Sequence, residues 1–217
     1  MDVPRNSNQV LNRRLGVLIS GRGSNLQALI DAIEDGRLDA EIAIVISNND
    51  EAAGLERARR AGIPAMTISH RGWPSRADYD AALARELQSR GVGLVCLAGF
   101  MRLIGAPLLD AFPNRIINIH PSLLPAFPGV DAQRQAFEHG VRVTGVTVHL
   151  VNADLDAGPI ILQRTVDVRD DDTAETLAAR ILVEEHRAYP EAVQLMLDGG
   201  WTIDGRRFVR SRSGAST

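Results

Sequence analysis

Lysine is absent from this chain, because all 24 of its basic residues are arginine. The absence excludes a P-loop lysine, a Schiff-base lysine and a lysine nucleophile. Cysteine occurs once, as Cys96, so no internal disulfide can form, and its place in an apolar run predicts a packing role. No apolar run reaches the roughly 20 residues that a membrane-spanning helix needs, and we therefore expect no membrane partner.

Charge and length narrow the class of protein further. The formal net charge of −3 gives no basic excess, so we expect no nucleic-acid partner. The five histidines form no HExxH motif or Cys/His cluster, and no metal requirement is expected. We predict a disordered leader over 1–14, one α/β domain over 15–210 and a disordered tail over 211–217. The single cysteine and the lack of a signal-peptide segment favour a cytoplasmic protein. Its partners are expected to be small molecules, and both a monomer and a homodimer are open.

Apolar runs alternate with helical patterns along the first half of the chain. The runs at 15–20, 41–47, 65–69 and 93–98 predict strands, and helices are predicted at 24–34, to about 61, at 75–90 and at 106–112. Such alternation is typical of a doubly wound, mostly parallel, Rossmann-like sheet. Ligands of such sheets collect at the carboxyl ends of the strands.

The second half has a different pattern. A fifth strand is predicted at 115–119, followed by two extended runs at 144–151 and 159–168 that favour an antiparallel edge. A long amphipathic helix is predicted from 171 to about 197, and a small hairpin over 201–209. The prediction is therefore an α/β fold with an antiparallel edge in its C-terminal half.

A glycine-containing turn, Gly21-Arg-Gly-Ser-Asn25, lies between the first strand and the first helix. Backbone N–H groups and the helix dipole favour a phosphate at such a position. The third glycine of a dinucleotide fingerprint is replaced by Leu26, so a monophosphate fits better than NAD. The alternative is a turn in which the glycines serve only backbone geometry.

Three polar residues suit acyl-type transfer. Asn118 can donate a hydrogen bond to an oxygen that becomes negative, and His120, on the same face of an extended segment, can move a proton. Asp156 can hold or charge that imidazole if the fold brings it close. The alternatives are a structural histidine and a turn-forming aspartate.

Other candidates have ordinary explanations as well. Arg102 follows the fourth strand, where it can face an anionic ligand, and Arg76 opens a helix, where a cation is unfavourable for the dipole. Either arginine is also consistent with an exposed surface. Glu185, in the middle of the last helix, is typical of a solvated helix face.

Five blocks of the sequence together resemble the phosphoribosylglycinamide formyltransferases, the folate-dependent enzymes of purine synthesis. The blocks are Leu18-Ile-Ser-Gly-Arg-Gly-Ser-Asn-Leu-Gln-Ala28, Ile46-Ser-Asn48, Leu97-Ala-Gly-Phe-Met-Arg-Leu103, Asn118 to Pro125, and Leu155-Asp-Ala-Gly-Pro-Ile-Ile-Leu-Gln163. They occur in the family's order and cover nearly the whole span from Leu15 to Leu197.

The resemblance implies transfer of a formyl group from 10-formyltetrahydrofolate, a co-substrate, to the amine of 5-phosphoribosylglycinamide (GAR). By resemblance, the catalytic residues are Asn118, His120 and Asp156; GAR is bound by Gly23, Ser24, Asn25 and Glu185; and folate is bound by Arg76, Met101, Arg102, Leu103, Ile104 and Asn118. This implication replaces the solvated-face interpretation of Glu185. The chain departs from the family at Asn49, where several relatives have lysine, and at Gln133, where many have histidine. The details of the substrate-site rim are therefore not implied by the resemblance.

Three rivals remain at this stage. A formyltetrahydrofolate hydrolase carries a regulatory domain before the first strand, and methionyl-tRNA formyltransferase carries an RNA-binding domain after the last helix. Neither extension is expected here, because the first strand begins near Leu15 and the chain ends soon after its long helix. A non-catalytic nucleotide-binding domain is the rival of another class, and the proton-transfer group His120 argues against it.

Overall fold

The computed structural model describes residues 11–211. The first half contains β1 (Arg14–Ile19), α1 (Ser24–Glu34), β2 (Glu41–Ser47), α2 (Ala53–Arg60), β3 (Ala65–Thr67), α3 (Arg76–Ser89), β4 (Leu94–Leu97) and α4 (Ala106–Ala111). The second half contains β5 (Ile116–His120), α5 (Ala132–His139), β6 (Val143–Leu150), β7 (Ile160–Asp167), α6 (Ala174–Asp198), β8 (Trp201–Asp204) and β9 (Arg207–Arg210).

The strands of the described part form one mixed sheet in the order β3-β2-β1-β4-β5-β6-β7-β9-β8. The strands β3, β2, β1, β4 and β5 run parallel to one another. The strands β5, β6 and β7 pair antiparallel. The predicted fold class, a mostly parallel doubly wound sheet with an antiparallel C-terminal part, is confirmed.

Helices cover both faces of the sheet because the central strands are apolar on both sides. In β1, Val17 and Ile19 pack into one core with α1, α2 and α6, whereas Leu18 packs into the other core with α3 and α4. All three side chains are fully buried. This two-sided burial is typical of parallel strands and explains their continuous apolar runs.

Cys96, in β4, is completely buried, as predicted, and burial raises the pKa of its thiol. Its neighbour in the core is Tyr189 of α6, whose hydroxyl donates to the Leu97 carbonyl at 2.8 Å. The cysteine therefore packs between the sheet and its longest helix.

The helix α5 was missed by the sequence analysis. Its eight residues bury only Ala132 and Ala136, and Asp131 at its N-cap adopts a left-handed conformation without a side-chain cap. Its two buried alanines make no wide apolar stripe, and Phe137 packs into a small core with residues of α6, so its position depends on tertiary contacts.

The N-terminal boundary also differs from the expectation. Leu11 is 5% exposed and packs into the core, and β1 begins at Arg14, so the packed chain includes residues assigned to the leader. The predictions of disorder at 1–10 and 212–217 lie outside the described residues. The single-domain boundaries remain a prediction.

Candidate active site

The candidate site lies where β1, β4 and β5 end side by side. Their register pairs Leu18 with Leu97 and Leu97 with Asn118, so three carboxyl ends meet at one edge of the sheet. Between β1 and β4 the strand order reverses, which is where doubly wound sheets form a crevice. The hydroxyl of Ser20, after β1, accepts a hydrogen bond from the Met101 amide at 2.8 Å and joins the loops that border the crevice.

His120, the last residue of β5, is 4% exposed and has acceptors at both ring nitrogens. Its Nε2 donates to the Phe127 carbonyl at 2.8 Å. Its Nδ1 lies 3.5 Å from Oδ2 of Asp156. Both ring nitrogens of His120 therefore face oxygen atoms, and each can donate to its neighbour when it carries a hydrogen.

Asp156 is brought to His120 by the turn between β6 and β7. Its Oδ2 accepts a hydrogen bond from the Gly129 amide at 2.8 Å, and Oδ1 lies 3.7 Å from Nε2 of His149. Burial alone would raise the pKa of Asp156, but His149, the Gly129 amide and the charge of His120 together lower it below its ordinary value. The carboxylate therefore stays negative beside the two imidazoles.

Asn118 lies two residues before His120 on β5 and is half-buried. Its Nδ2 is 3.3 Å from Nε2 of His149, its direct partner on β6. The site therefore contains an amide, two imidazoles and a carboxylate within contact of one another.

The proline-framed loop after His120 is held by the sheet. The hydroxyl of Thr147, opposite His120 on β6, donates to the Ser122 carbonyl at 2.7 Å and accepts from the Leu124 amide at 3.0 Å. The Gln163 side chain, on β7, donates to the Leu124 carbonyl at 2.9 Å. These bonds fix the start of the loop whose Phe127 carbonyl reaches His120.

The glycine turn after β1 has the geometry of an anion site. Gly23 is the N-cap of α1, with φ 70°, and the first turn of α1 has neither an acidic residue nor a side-chain cap. A Cβ at Gly23 would lie 2.6 Å from Cα of Gly54, so two backbones meet closely there. The first amides of α1 are therefore left for a ligand, as a phosphate requires.

Asn25 and Glu185, which come from distant parts of the chain and which the family resemblance assigns to the same ligand, are in contact. Nδ2 of Asn25 donates to Oε2 of Glu185 at 2.6 Å, and both residues are buried. Burial raises the pKa of Glu185, although Asn25 and Arg22 oppose the shift. Oδ1 of Asn25 has no hydrogen-bond partner among residues 11–211, so the pair presents acceptors to a donor group.

The two candidate arginines meet around a buried acid. Oδ2 of Asp80, on α3, accepts from the Gly105 amide at 2.8 Å and faces the charges of Arg76 and Arg102. The Arg102 guanidinium lies over the Tyr79 ring, 5.2 Å from its centre. Two cations and one anion leave a positive corner at the mouth of the crevice.

The segment that carries Arg102 is mostly exposed. Met101 is 71% and Leu103 is 54% exposed, whereas Ile104 is 7% exposed and belongs to the core. Exposed apolar side chains beside a cationic corner suit a ligand with an aromatic body and an acidic end. Of the two departures, Asn49 is exposed in the turn after β2 and Gln133 lies on α5, half-buried.

Some polar neighbours were missed by the sequence analysis, chiefly His149 and Asp80. The cross-strand position of His149 opposite Asn118 follows from the β5–β6 register. That register cannot be derived from two extended runs joined by a long segment, because a shift of one residue reverses the face. Asp80 resembles any helical acid in sequence, although its neighbour Tyr79 indicates a buried helix face.

Among residues 11–211, no group of three or more histidine, cysteine, aspartate and glutamate side chains is arranged to hold a metal ion. In the same part of the chain, no helix is both long and apolar enough to cross a bilayer. Fold and site together define an α/β class of protein in which a buried polar group lies in a crevice between the turn before α1 and the exposed segment after β4.

The profile of the Formyl transferase family matches residues 13–193. The chain therefore belongs to that family. It is 41% identical, over 185 residues, to the phosphoribosylglycinamide formyltransferase of Bacillus subtilis, and the match covers 85% of this chain and 95% of that protein.

A crystal structure of glycinamide ribonucleotide transformylase 1 from Symbiobacterium toebii is 58% identical to the chain, with a TM-score of 0.91 over 94% of this chain and 96% of that one. The human trifunctional purine biosynthetic protein adenosine-3 is 49% identical over 186 residues. That match covers 86% of this chain but 18% of the human protein, so the chain spans less than a fifth of that relative's length.

Proposed function

We propose that this protein transfers the formyl group of 10-formyltetrahydrofolate to the primary amine of GAR, in de novo purine synthesis. The observation that carries the proposal is the contact of Asp156 with His120, beside Asn118, between a phosphate-type loop and a cationic, apolar segment. Relatives that match this chain over nearly their whole length are named for this reaction.

The catalytic group suits the charge changes of formyl transfer. Attack of the amine on the formyl carbon forms one C–N bond and makes the formyl oxygen negative. An N–H of Asn118 and the charged His120 can donate to that oxygen, and one such donor is typically worth about 3 kcal/mol or more in the barrier. Collapse breaks the bond to N10 of the folate.

Proton transfers complete the step: the attacking nitrogen loses one proton and N10 gains one. His120 holds a proton on Nε2, which faces the Phe127 carbonyl in this structure, and a bound folate would take the place of that carbonyl. The Asp156 carboxylate, 3.5 Å from Nδ1, can stabilise the positive charge of a protonated imidazole, and once His120 has given its proton to N10 either group can accept the proton released by the amine.

GAR would be bound by the turn before α1. The amides around Gly23, Ser24 and Asn25 suit its phosphate, because the first turn of α1 has no other partner for them. The Asn25–Glu185 pair offers acceptors to hydroxyl or amine donors of the same substrate. The monophosphate predicted from the turn is thus one end of GAR.

Folate would lie across the segment after β4. Exposed Met101 and Leu103 provide apolar surface for its aromatic rings, and Arg76 and Arg102 provide charge for its carboxylates. Ile104 supports this segment from the core, since its side chain is buried. Orientation of both substrates in one crevice then supplies much of the rate enhancement.

The deciding experiment uses purified protein with 10-formyl-5,8-dideazafolate, with and without GAR, and follows deformylation by absorbance. The proposal expects deformylation that depends on GAR. Release of formate at the same rate without GAR would identify a hydrolase, and GAR binding without deformylation would identify a binding domain.

A variant of His120 tests whether the reaction takes place at the candidate site. His120→Ala is expected to lower turnover by at least about 10²-fold while folate affinity stays nearly unchanged, because the general acid is lost. His70→Asn is a suitable control, because His70 follows β3, four strands away from β5 in the sheet. Near-native turnover of His120→Ala would contradict the proposed role.

A further inference from the structure

His149 has no role in the reaction as derived above, although it contacts two residues that do. It is 2% exposed and lies on β6, directly opposite Asn118 on β5. A buried polar side chain costs free energy unless its hydrogen bonds are made, and an apolar residue would fill this strand position at less cost. The contacts that His149 makes therefore indicate its use.

One ring nitrogen of His149 is committed to the backbone. Nδ1 lies 2.9 Å from the Leu150 carbonyl oxygen, which can only accept a hydrogen bond. Nδ1 therefore carries a hydrogen in both the neutral and the charged ring, and only Nε2 changes. The ring is fixed in orientation by a bond that does not depend on its protonation.

The other nitrogen, Nε2, faces the catalytic residues. It lies 3.3 Å from Nδ2 of Asn118 and 3.7 Å from Oδ1 of Asp156. In the neutral ring, Nε2 accepts one hydrogen of the Asn118 amide, which fixes the amide plane and leaves the second hydrogen free. In the charged ring, Nε2 has a hydrogen of its own and can no longer accept from Asn118.

The carboxylate of Asp156 lies between the two imidazoles. Its Oδ2 faces His120 from β5, and its Oδ1 faces His149 from β6. The Gly129 amide donates to Oδ2, so that oxygen is held by a bond that does not depend on either imidazole. Rotation of this carboxylate away from His120 would remove Oδ1 from His149 as well.

We propose that His149 is a positioning residue: in its neutral form, its Nε2 accepts a hydrogen bond from the Asn118 amide and orients that amide toward the reacting oxygen. The inference rests on the proposed formyl transfer for its kinetic readout. His149 itself does not touch the substrates; it acts through Asn118.

Two conservative variants separate the two nitrogens. The amide of His149→Gln can place a polar atom where Nε2 lies, whereas the shorter amide of His149→Asn can replace only Nδ1 and its bond to Leu150. We expect His149→Asn to lower kcat about tenfold or more with little change in either KM, because misplaced groups slow the chemical step. We expect kcat of His149→Gln to lie at least about fivefold above that of His149→Asn.

A double-mutant cycle with Asn118→Ala tests the route of the effect. If His149 acts through Asn118, adding His149→Asn to Asn118→Ala should cost much less than it costs in the wild-type background. Fully additive losses, or equal kcat for the Gln and Asn variants at equal melting temperature, would overturn the inference.

A measurement without turnover separates this inference from the proposed function. The side-chain amide of Asn118, observed by ¹H–¹⁵N NMR, should shift in His149→Asn and stay near its wild-type position in His149→Gln. An unchanged Asn118 amide in both variants would overturn the inference even if the wild-type enzyme transfers formyl groups. Absence of GAR-dependent turnover in the wild type would instead overturn the proposed function alone.

Discussion

In the parallel half of the sheet, the candidate phosphate-binding residues are neighbours in sequence: Gly23 to Asn25 belong to one strand–turn–helix unit. In the antiparallel half, the candidate catalytic residues come from β5 and from the turn before β7. Asp156 reaches its place through contacts with Gly129 and His120, which are distant from it in the chain, and with His149, which lies on the strand before its turn. Local geometry builds one side of the crevice and tertiary packing builds the other.

This difference predicts different consequences of mutation. Substitutions in the glycine turn should change ligand affinity and local stability, because each residue of the turn contributes its own backbone amide to the proposed anion site. Substitutions among the residues around Asp156 should change turnover, because those residues act as a unit and their effects are not additive.

The largest effect is expected for Asp156→Asn. The amide can still accept from the Gly129 amide, but it removes the charge 3.5 Å from His120, and turnover should fall by at least about 10²-fold. Steady-state kinetics with GAR and a formyl-folate analogue measure the change. Asp154→Asn, an exposed residue two positions earlier in the same turn, is the matched control and should behave as the wild type.

The next prediction concerns the glycine turn, which is the part of the site built by local geometry. Gly23→Ala places a Cβ 2.6 Å from Cα of Gly54 at a residue with φ 70°, so we expect a loss of about 1–3 kcal/mol in the free energy of unfolding. Denaturant unfolding measures it. GAR affinity should fall in the same variant, because the first turn of α1 shifts.

Gly21→Ala is the control for that experiment. Gly21 lies two residues earlier in the same turn, and a Cβ there meets nothing within 4 Å. An equal loss of stability in both variants would show that the turn tolerates no side chain at all and that the contact with Gly54 is not the cause.

The same division explains how much the sequence could predict. Strand–helix alternation is a local signal, and it predicted every helix and strand of the parallel half to within a few residues, including β1 and α3. The anion turn followed from its position between β1 and α1. These features depend on residues that are close in the chain, where periodicity and turn chemistry are informative.

Features that depend on tertiary packing could not be predicted from the sequence. The helix α5 has no wide apolar stripe, and its place depends on α6. In the sequence, His149 is one of several polar residues that lie within apolar strand patterns. Only the register of β5 and β6 places it opposite Asn118. The approach of Asp156 to His120 depends on tertiary structure and could be stated from the sequence only as a condition. In the structure, Oδ2 of Asp156 lies 3.5 Å from Nδ1 of His120.

A smaller effect is expected for Asn25→Ala. This variant removes the 2.6 Å bond to Glu185 and one donor of the anion turn, so GAR affinity should fall about tenfold, which corresponds to about 1.4 kcal/mol. Folate affinity should change much less, because the folate side is formed by the segment after β4. Calorimetric titration of each ligand checks this, and equal losses for both would contradict the assignment of the turn.

The smallest effects concern two acids of the site that respond to pH in opposite directions. The pKa of Asp156 is lowered from 3.8, so its carboxylate stabilises the folded protein above that value and the contribution is lost as pH falls through the lower folded pKa. The pKa of Glu185 is raised from 4.5 by burial, so its contribution is present below 4.5 and is lost as pH rises through the higher folded pKa.

Paired variants sharpen that contrast. Relative to the wild type, Glu185→Gln should gain stability as pH rises above about 4.5, because glutamine has no charge to bury. Asp156→Asn should instead be less stable than the wild type above about pH 4, with the difference shrinking as the solution becomes more acidic. Denaturant unfolding between pH 3 and 8 measures both. Parallel pH profiles would mean that the two carboxylates share one environment, and they would contradict the opposite directions of the two pKa shifts.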